Sequence, residues 1–431
     1  MTAFTKEAVL ELSAHLNEPE WMREFRLKAW QVYESMPMPV TTDEAWRRTN
    51  IRRLKLDEIG PSVNGGAPTE TVPDYLEAQF ADEPSGGMLT QIDGVTVKYA
   101  LSDELKAQGV IFCDMDTAVR QHADLIRKYF MTEGVKVTDG KFAALHGAFW
   151  RGGTFLYVPK NVKAAAPLHS TLWSASGKTF THTLVVMEEG SEANLLDVYA
   201  SADGEGQALH NGVIELLVRD NANLIYSGLQ DFGKHVWQFN HERGRVGRDG
   251  KLDWVTSWMG SRMVKAFQTM ELDQQGGWGR MSGAFFTNGR QHLDLDTQQN
   301  HNAGDTVSDL LYKGALKDRS RTVWQGMIKA LPGSQKINGF QANRNLMLDK
   351  TARADSIPGL EIEADDVICT HASTVGKMDE EEVFYLMARG IPRQRAVEMV
   401  VEGFFDPLLR RIPVDGVRER IFGRILEKMN Q

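Results

Sequence analysis

Between residues 193 and 280 a short pattern returns at a nearly constant step. Ala193-Asn194-Leu195-Leu196-Asp197 is echoed by Ala222-Asn223-Leu224-Ile225-Tyr226. Gly250-Lys251-Leu252-Asp253-Trp254 follows, and then Gly277-Trp278-Gly279-Arg280. The step is 29, then 28, then 26 or 27 residues. Each copy is a turn signal leading into a short strand, with another short strand before it. A period of roughly 20–50 residues is the mark of stacked architectures. One such unit cannot bury its own apolar face, so neighbouring coils must cover each other. A parallel β-helix fits this pattern. A β-sandwich competes with it, because short strands at close spacing suit that fold too.

The rest of the chain divides around this core. Residues 1–60 are expected to form an N-terminal helical domain. Pro19 sits near a helix start, and Trp21, Phe25, Leu27, Trp30 and Val32 recur near helical spacing. Thr42-Asp43-Glu44 opens a second, short helix with acids at the positive end of its dipole. Residues 61–94, rich in proline and glycine, form a linker or cover. Residues 95–376 form the β core, with apolar segments such as Ala143 to Phe149, Thr154 to Val158, Thr183 to Met187 and Val213 to Val218. Residues 377–431 return to helix. Asp379 caps the first, Pro392 opens the second, and the third carries Val417, Ile421 and Ile425. Val397, Val400, Val401, Phe404, Phe405 and Leu408 share one side of the second helix. These helices either close an end of the solenoid or present an apolar stripe to a partner.

Charge and composition exclude several classes. The 431 residues carry a net charge of −9, without the basic footprint that drives nucleic-acid binding. No apolar run approaches the about 18 residues that a membrane span needs. Met1 to Asn17 has no basic start followed by an apolar stretch, so an export signal is not expected. Two cysteines, Cys113 and Cys369, make neither a disulfide framework nor a four-thiolate metal site. A cytoplasmic location follows as the expectation.

Motifs for chemistry are few. Gly177-Lys178-Thr179 resembles the end of a phosphate loop, but Leu172 stands where its first glycine belongs. His292, Asp294 and Asp296 alternate, so on a strand they share a face, with His301 nearby. They read as a solvated outer strand face or as part of a metal site. Cys369-Thr370-His371 places thiol and imidazole side by side on one strand face. Both are ligands for iron, zinc and iron–sulfur clusters. The same residues also suit a small buried cysteine beside a structural histidine. Two ligands leave a four-coordinate site incomplete. No acid–base or nucleophilic constellation stands out.

Several longer stretches carry a resemblance. Leu360 to Val367, Thr370 to Gly376 and Phe384 to Gly390 resemble the SufD branch of the SufB/SufD family of the SUF iron–sulfur cluster assembly system. Lys141 to Leu145, Ala148 to Gly153, Thr183 to Gly190, Asn343 to Leu346 and Glu402 to Phe405 are similar to the family core. Glu18 to Trp21 and Trp46 to Arg52 are similar to its opening. The Thr374-Val375-Gly376 ending and the lack of a cysteine-rich N-terminal segment separate the chain from SufB-type members.

The resemblance implies a mainly β protein, with a right-handed parallel β-helix between two helical domains. It implies a non-catalytic scaffold that pairs with SufB through the β-helix end near residues 360–376. It also implies docking of the SufC ATPase through the C-terminal helices, at Phe404, Phe405, Leu408, Arg410 and Arg411. His371 matches a ligand of a nascent, transient iron–sulfur cluster shared with SufB, and Cys369 matches an interface cysteine. An unpaired β-helix end favours a homodimer of the isolated chain. A SufB-type scaffold is the near alternative. A carbohydrate-binding or carbohydrate-processing β-helix, using His292, Asp294 and Asp296, is the alternative from another class.

Overall fold

The computed structural model describes residues 4–61, 71–73, 76 and 85–430. Among them, the middle of the chain winds as a β-solenoid, with one strand of each coil in each of two sheets. One sheet runs, in order and parallel, through Glu192–Ala200, Asn223–Asp231, Lys251–Trp258, Trp278–Thr287, Val307–Leu316, Ile337–Met347 and Val367–Lys377. The facing sheet runs through His182–Met187, Ala208–Val218, Val236–Val246, Met263–Leu272, His292–His301, Arg321–Ala330 and Arg353–Ile362. The β-helix expectation holds. Parallel neighbours one coil apart cannot come from the hairpins of a sandwich.

The repeat has a backbone cause. Gly190, Asn221, Asp249, Gly276, Asp305 and Lys336 occupy the same corner in successive coils, and each has a positive φ. The N–H groups of Gly190, Asn221, Asp249 and Asp305 each bond a carbonyl of the following coil. Glycine, asparagine and aspartate enter this left-handed region most readily, which is why they punctuate the sequence. Lys336 is the exception. The first echo is shifted, however. Leu224 stands opposite Ala193, so that step is 31 residues, followed by 28 and 27. The added residues lie between Ala200 and Ala208.

Inside the solenoid, Leu195, Tyr226, Trp254, Met281 and Leu310 stack in register and are buried. Beside them runs a buried polar layer. Asp197 accepts bonds from Thr183 at 2.7 Å and Tyr226 at 3.2 Å. Glu242 accepts from Asn240 at 2.8 Å and Gln268 at 2.7 Å. Pairing of this kind offsets the large penalty of burying polar groups.

The segment Ala143 to Phe149, expected as β, lies in the helix Lys141–Phe149. All but its first residue is buried. An apolar run covered on every side lacks the period that distinguishes helix from strand. Helices also occupy Asp103–Ala107, Met115–Gln121 and Ala123–Tyr129, within the stretch expected as β core. The strand Gly87–Ile92 pairs in parallel with Leu168–Trp173, so the sheet begins inside the 61–94 stretch. Residues 62–70, 74–75 and 77–84 of that stretch lie outside the described residues. At the N-terminus, Pro19 precedes the helix Glu20–Ser35, and the short helix after Asp43 is the 3-10 turn Glu44–Trp46.

A buried polar chain fastens the Lys141–Phe149 helix to the solenoid. His146 Nε2 lies 3.1 Å from His182 Nδ1, and His182 Nε2 lies 2.9 Å from Glu215 Oε2. The same oxygen accepts the Met131 N–H at 2.8 Å. Burial pushes the Glu215 carboxyl up to about 8 and the His182 imidazole down to about 3. Both groups are therefore mainly neutral at pH 7.

The C-terminal helices do not close an end of the solenoid. Helices Arg393–Leu409 and Asp415–Asn430 lie along the outer face of one sheet. There Val401, Phe405, Leu408, Val417, Ile421 and Ile425 meet Leu311, Ala315, Ala342 and Phe286. Lys428, buried, donates to the carbonyls of Met259 and Phe286 and to Gln291 Oε1. All three donors of its ammonium are thereby engaged.

Two outcomes test these assignments. Lys336→Gly relieves a left-handed side-chain-bearing corner and should stabilise the fold by about 1 kcal/mol. The check is an upward shift of the urea midpoint at unchanged m. Glu215 holds its proton in the fold up to about pH 8 but loses it near 4.5 when unfolded. Its contribution to stability should fall as pH rises through that window, against the opposite trend of the buried histidines below about 6.5. Glu215→Gln should flatten the slope in urea titrations across those pH values.

Candidate functional site

The strand Val367–Lys377 is the last in its sheet and has Ile337–Met347 as its one strand neighbour. Arg353–Ile362 ends the facing sheet in the same way. One end of the solenoid is thus an open mouth among the described residues. Each terminal strand lacks a ladder partner on its outer side. Apolar side chains are exposed around it: Ile368 is 64% exposed, Val375 46%, Leu360 39% and Ile362 38%. Free edges and apolar patches of this kind are where a second chain pairs.

His371 and Cys369 sit on that last strand. His371 continues the inward column of Leu310 and Gln341, standing opposite Gln341. With no further coil above it, it is exposed. Cys369 stands opposite Gly339 and is half-buried. Burial pushes its thiol up, against a smaller opposing effect of the backbone bond to Gly339. Cys113 is buried, and its thiol is pushed up to about 12 by burial and by Asp114. Only one of the two thiols therefore lies at the mouth.

The two candidates share a strand face, as their spacing predicts, but they do not complete a site. No group of three or more His, Cys, Asp or Glu among the described residues is placed to hold a metal ion. His301 is engaged elsewhere, with Nδ1 at 2.7 Å from Thr306 Oγ1 and Nε2 at 2.8 Å from Ser308 Oγ. The mouth offers one imidazole and one weakly acidic thiol toward whatever covers it.

His292, Asp294 and Asp296 are neither a solvated face nor a metal site. Asp294 and Asp296 pair with Lys265 at 3.0 and 2.7 Å, and both Lys265 and Asp294 are buried. Thr49 bridges His292 at 2.7 Å and Asp294. The N-terminal segment covers these residues, which fasten it to the sheet. Asp294 and Asp296 are thereby committed to Lys265 and not to a ligand. A buried lysine supplied from the neighbouring strand leaves no trace in the local pattern of alternation.

The C-terminal candidates separate. Phe405 and Leu408 are fully buried against the sheet, which corrects their expected place on a docking surface. Arg411 is mostly covered and pairs with Asp309 at 2.7 Å. Arg410 is exposed and pairs with Asp406 in its own helix. Phe404 is half-buried, and its carbonyl accepts from Lys313. The helix Glu380–Ala388 forms behind its Asp379 cap as expected, but only Val383 of it is buried, and sequence reasoning missed the face it leaves exposed. Phe384 is 70% exposed and Tyr385 58%. A cleft of about 860 Å³ opens between this helix and Arg393–Leu409, lined by Tyr385, Leu386, Met399, Val400 and Phe404. Adjacent aromatic residues with only Glu380, Glu381 and Glu382 one turn before them were the available signal.

The family described as SUF system FeS cluster assembly, SufBD core domain, matches residues 171–404. The SufBD protein N-terminal region matches residues 8–169. The chain is 33% identical to the iron-sulfur cluster assembly protein SufD of Bacillus subtilis (strain 168), covering 98% of each chain. It is 31% identical to an iron-sulfur cluster assembly SufBD family protein of Staphylococcus epidermidis, over 95% of this chain and 90% of that one. A Staphylococcus aureus member of the same family is 30% identical over the same shares.

Proposed function

The chain belongs to the SufBD family of iron–sulfur cluster assembly proteins, and from that premise we propose that it is a SufD-type scaffold subunit. In this reading it works in the cytoplasm and pairs with SufB through the open mouth of its solenoid. His371 then serves as one ligand of a nascent cluster, and Cys369 lies at the same interface. The cluster is cargo, built and passed on. The observation that carries this reading is the place of His371: exposed, on the terminal strand, at the end of an inward column, with too few neighbours to hold iron alone. A second solenoid end laid on the mouth would pair the free strand edges and cover Ile368 and Val375. It would also bring the missing ligands. Imidazole binds iron without the grip of a four-thiolate site, which suits a scaffold that must release its product.

We place the docking site for the SufC ATPase at Phe384, Tyr385, Met399 and Phe404, around the C-terminal cleft. Exposed aromatic side chains beside an apolar groove fit a partner interface. Phe405 and Leu408 support that surface from beneath by fixing its helix to the sheet. Movement of SufC on ATP binding would reach the mouth through these helices and the sheet they lie on. This subunit carries no hydrolytic chemistry in that scheme.

Two experiments test the reading. In complexes co-expressed with SufB and SufC, His371→Ala should leave subunit stoichiometry intact and lower iron and sulfide content several-fold. Equal loading of the variant rejects the ligand role. Phe384→Asp, on an already exposed side chain, should abolish co-purification with SufC at an unchanged circular dichroism spectrum. Retained SufC would move the docking site elsewhere.

A further inference from the structure

On the sheet opposite the C-terminal helices, the N-terminal segment crosses the solenoid as a strap. Thr49 and Ile51 turn inward and are buried, Thr49 onto His292 and Asp294. The turn that follows is fixed by Gln207, whose side chain donates to the Arg53 carbonyl at 2.7 Å and accepts the Lys55 N–H at 2.9 Å. Between strap and sheet lies a cleft of about 490 Å³. Its floor is the in-register ladder Trp237, Met263, His292 and Arg321. Its walls are Arg48, Asn50, Arg52, Arg53 and Arg262.

Five guanidinium groups therefore line one concavity, and no carboxylate does. Arg321 is neutralised by Asp355 at 2.7 Å. Among the described residues none of the other four pairs with a carboxylate. Arg48 reaches only the Gln325 amide oxygen, at 3.4 Å, and Arg262 donates to the Arg290 carbonyl. The nearby acids are already committed, since Asp294 and Asp296 both hold Lys265. Arg262 is pushed below its ordinary value by burial and by the like charges of Arg290 and Arg53. His292 is pushed down to about 4, chiefly by burial, so it stays neutral and leaves the guanidinium groups as the cleft's charge.

In a chain whose net charge is −9, such a cluster is not a product of general composition. Converging cations with no counter-charge repel one another, and a bound anion relieves that repulsion. Guanidinium forks match phosphate oxygens in paired hydrogen bonds, better than a point charge does. The cleft has the size of a small-molecule site, and Trp237 and Met263 give it an apolar floor. We infer that the cleft between the residue 48–53 strap and the sheet is a binding site for a small anion bearing two or more phosphates. Such a ligand fastens the strap to the solenoid, because its phosphates bridge Arg52 and Arg53 on one side to Arg262 on the other. Two sources share this chemistry: a nucleoside diphosphate and an inorganic polyphosphate.

Isothermal titration of the full chain with ADP and with sodium tripolyphosphate tests the site. Binding of either at one equivalent is expected, weakening as salt screens the charges. The double variant Arg52→Ser/Arg53→Ser removes two exposed side chains and should bind at least tenfold more weakly, with an unchanged melting temperature without ligand. Arg47→Ser, on the same strap but outside the cleft, should bind like the wild type. Tighter binding of ADP assigns the organic source, and tighter binding of tripolyphosphate the inorganic one. The inference is overturned by absent binding of both, by unchanged affinity in the double variant, or by equal weakening in Arg47→Ser. Binding of a polyglutamate peptide alone overturns it as well, and makes the cleft a protein contact.

Discussion

Coil-on-coil hydrogen bonding in strict register is the constraint on which the rest of this structure depends. Each parallel strand takes half of its backbone partners from the coil before and half from the coil after. The left-handed corners at Gly190, Asn221, Asp249, Gly276, Asp305 and Lys336 keep that register from one coil to the next. They also align the inner columns, so that Tyr226 meets Trp254 and Leu310 meets Gln341. A stack built this way leaves its terminal strands half-paired, Val367–Lys377 and Arg353–Ile362 at one end and Val95–Leu101 and Ile111–Asp114 at the other. The open mouth is therefore a consequence of the architecture, and the residues that occupy it are the ones free to face another chain.

The molecule divides its surfaces accordingly. One sheet face is covered by the C-terminal helices, held by Phe405, Leu408 and the threefold-bonded Lys428. The opposite face is crossed by the N-terminal strap, held by Thr49 over the Lys265 ion-pair cluster. What remains uncovered is the mouth with His371, the aromatic ridge at Phe384 and Tyr385, and the arginine-lined cleft. All three are incomplete in a physical sense: an edge without a partner strand, apolar rings in water, and cations without counter-ions. None of them has to be left so for the solenoid to be stable.

Much of the architecture was legible because local backbone requirements write themselves into residue type. Asparagine, aspartate and glycine at the corners, and Pro19, Asp379 and Pro392 at helix starts, are such cases. Where packing rather than backbone decides, the text is ambiguous. Ala143 to Phe149 is apolar on every side and shows neither period, so its helix was hidden. Phe405 and Phe404 are neighbours of one type, yet one is buried and the other half-exposed. His292, Asp294 and Asp296 alternate like a surface strand, but Lys265 and Thr49 turn them into a buried anchor.

The sequence by itself determined the stacked-strand core, the helical ends and the pairing of Cys369 with His371 on one strand face. Period, turn chemistry and a two-residue spacing are local properties, carried by neighbours along the chain. Only the tertiary structure decided which strand lies last, which helix faces touch the sheet, and where Arg48, Arg52, Arg53, Arg262 and Arg321 converge. Those outcomes depend on groups far apart in sequence meeting in space, and no local pattern encodes which of them are left without a partner.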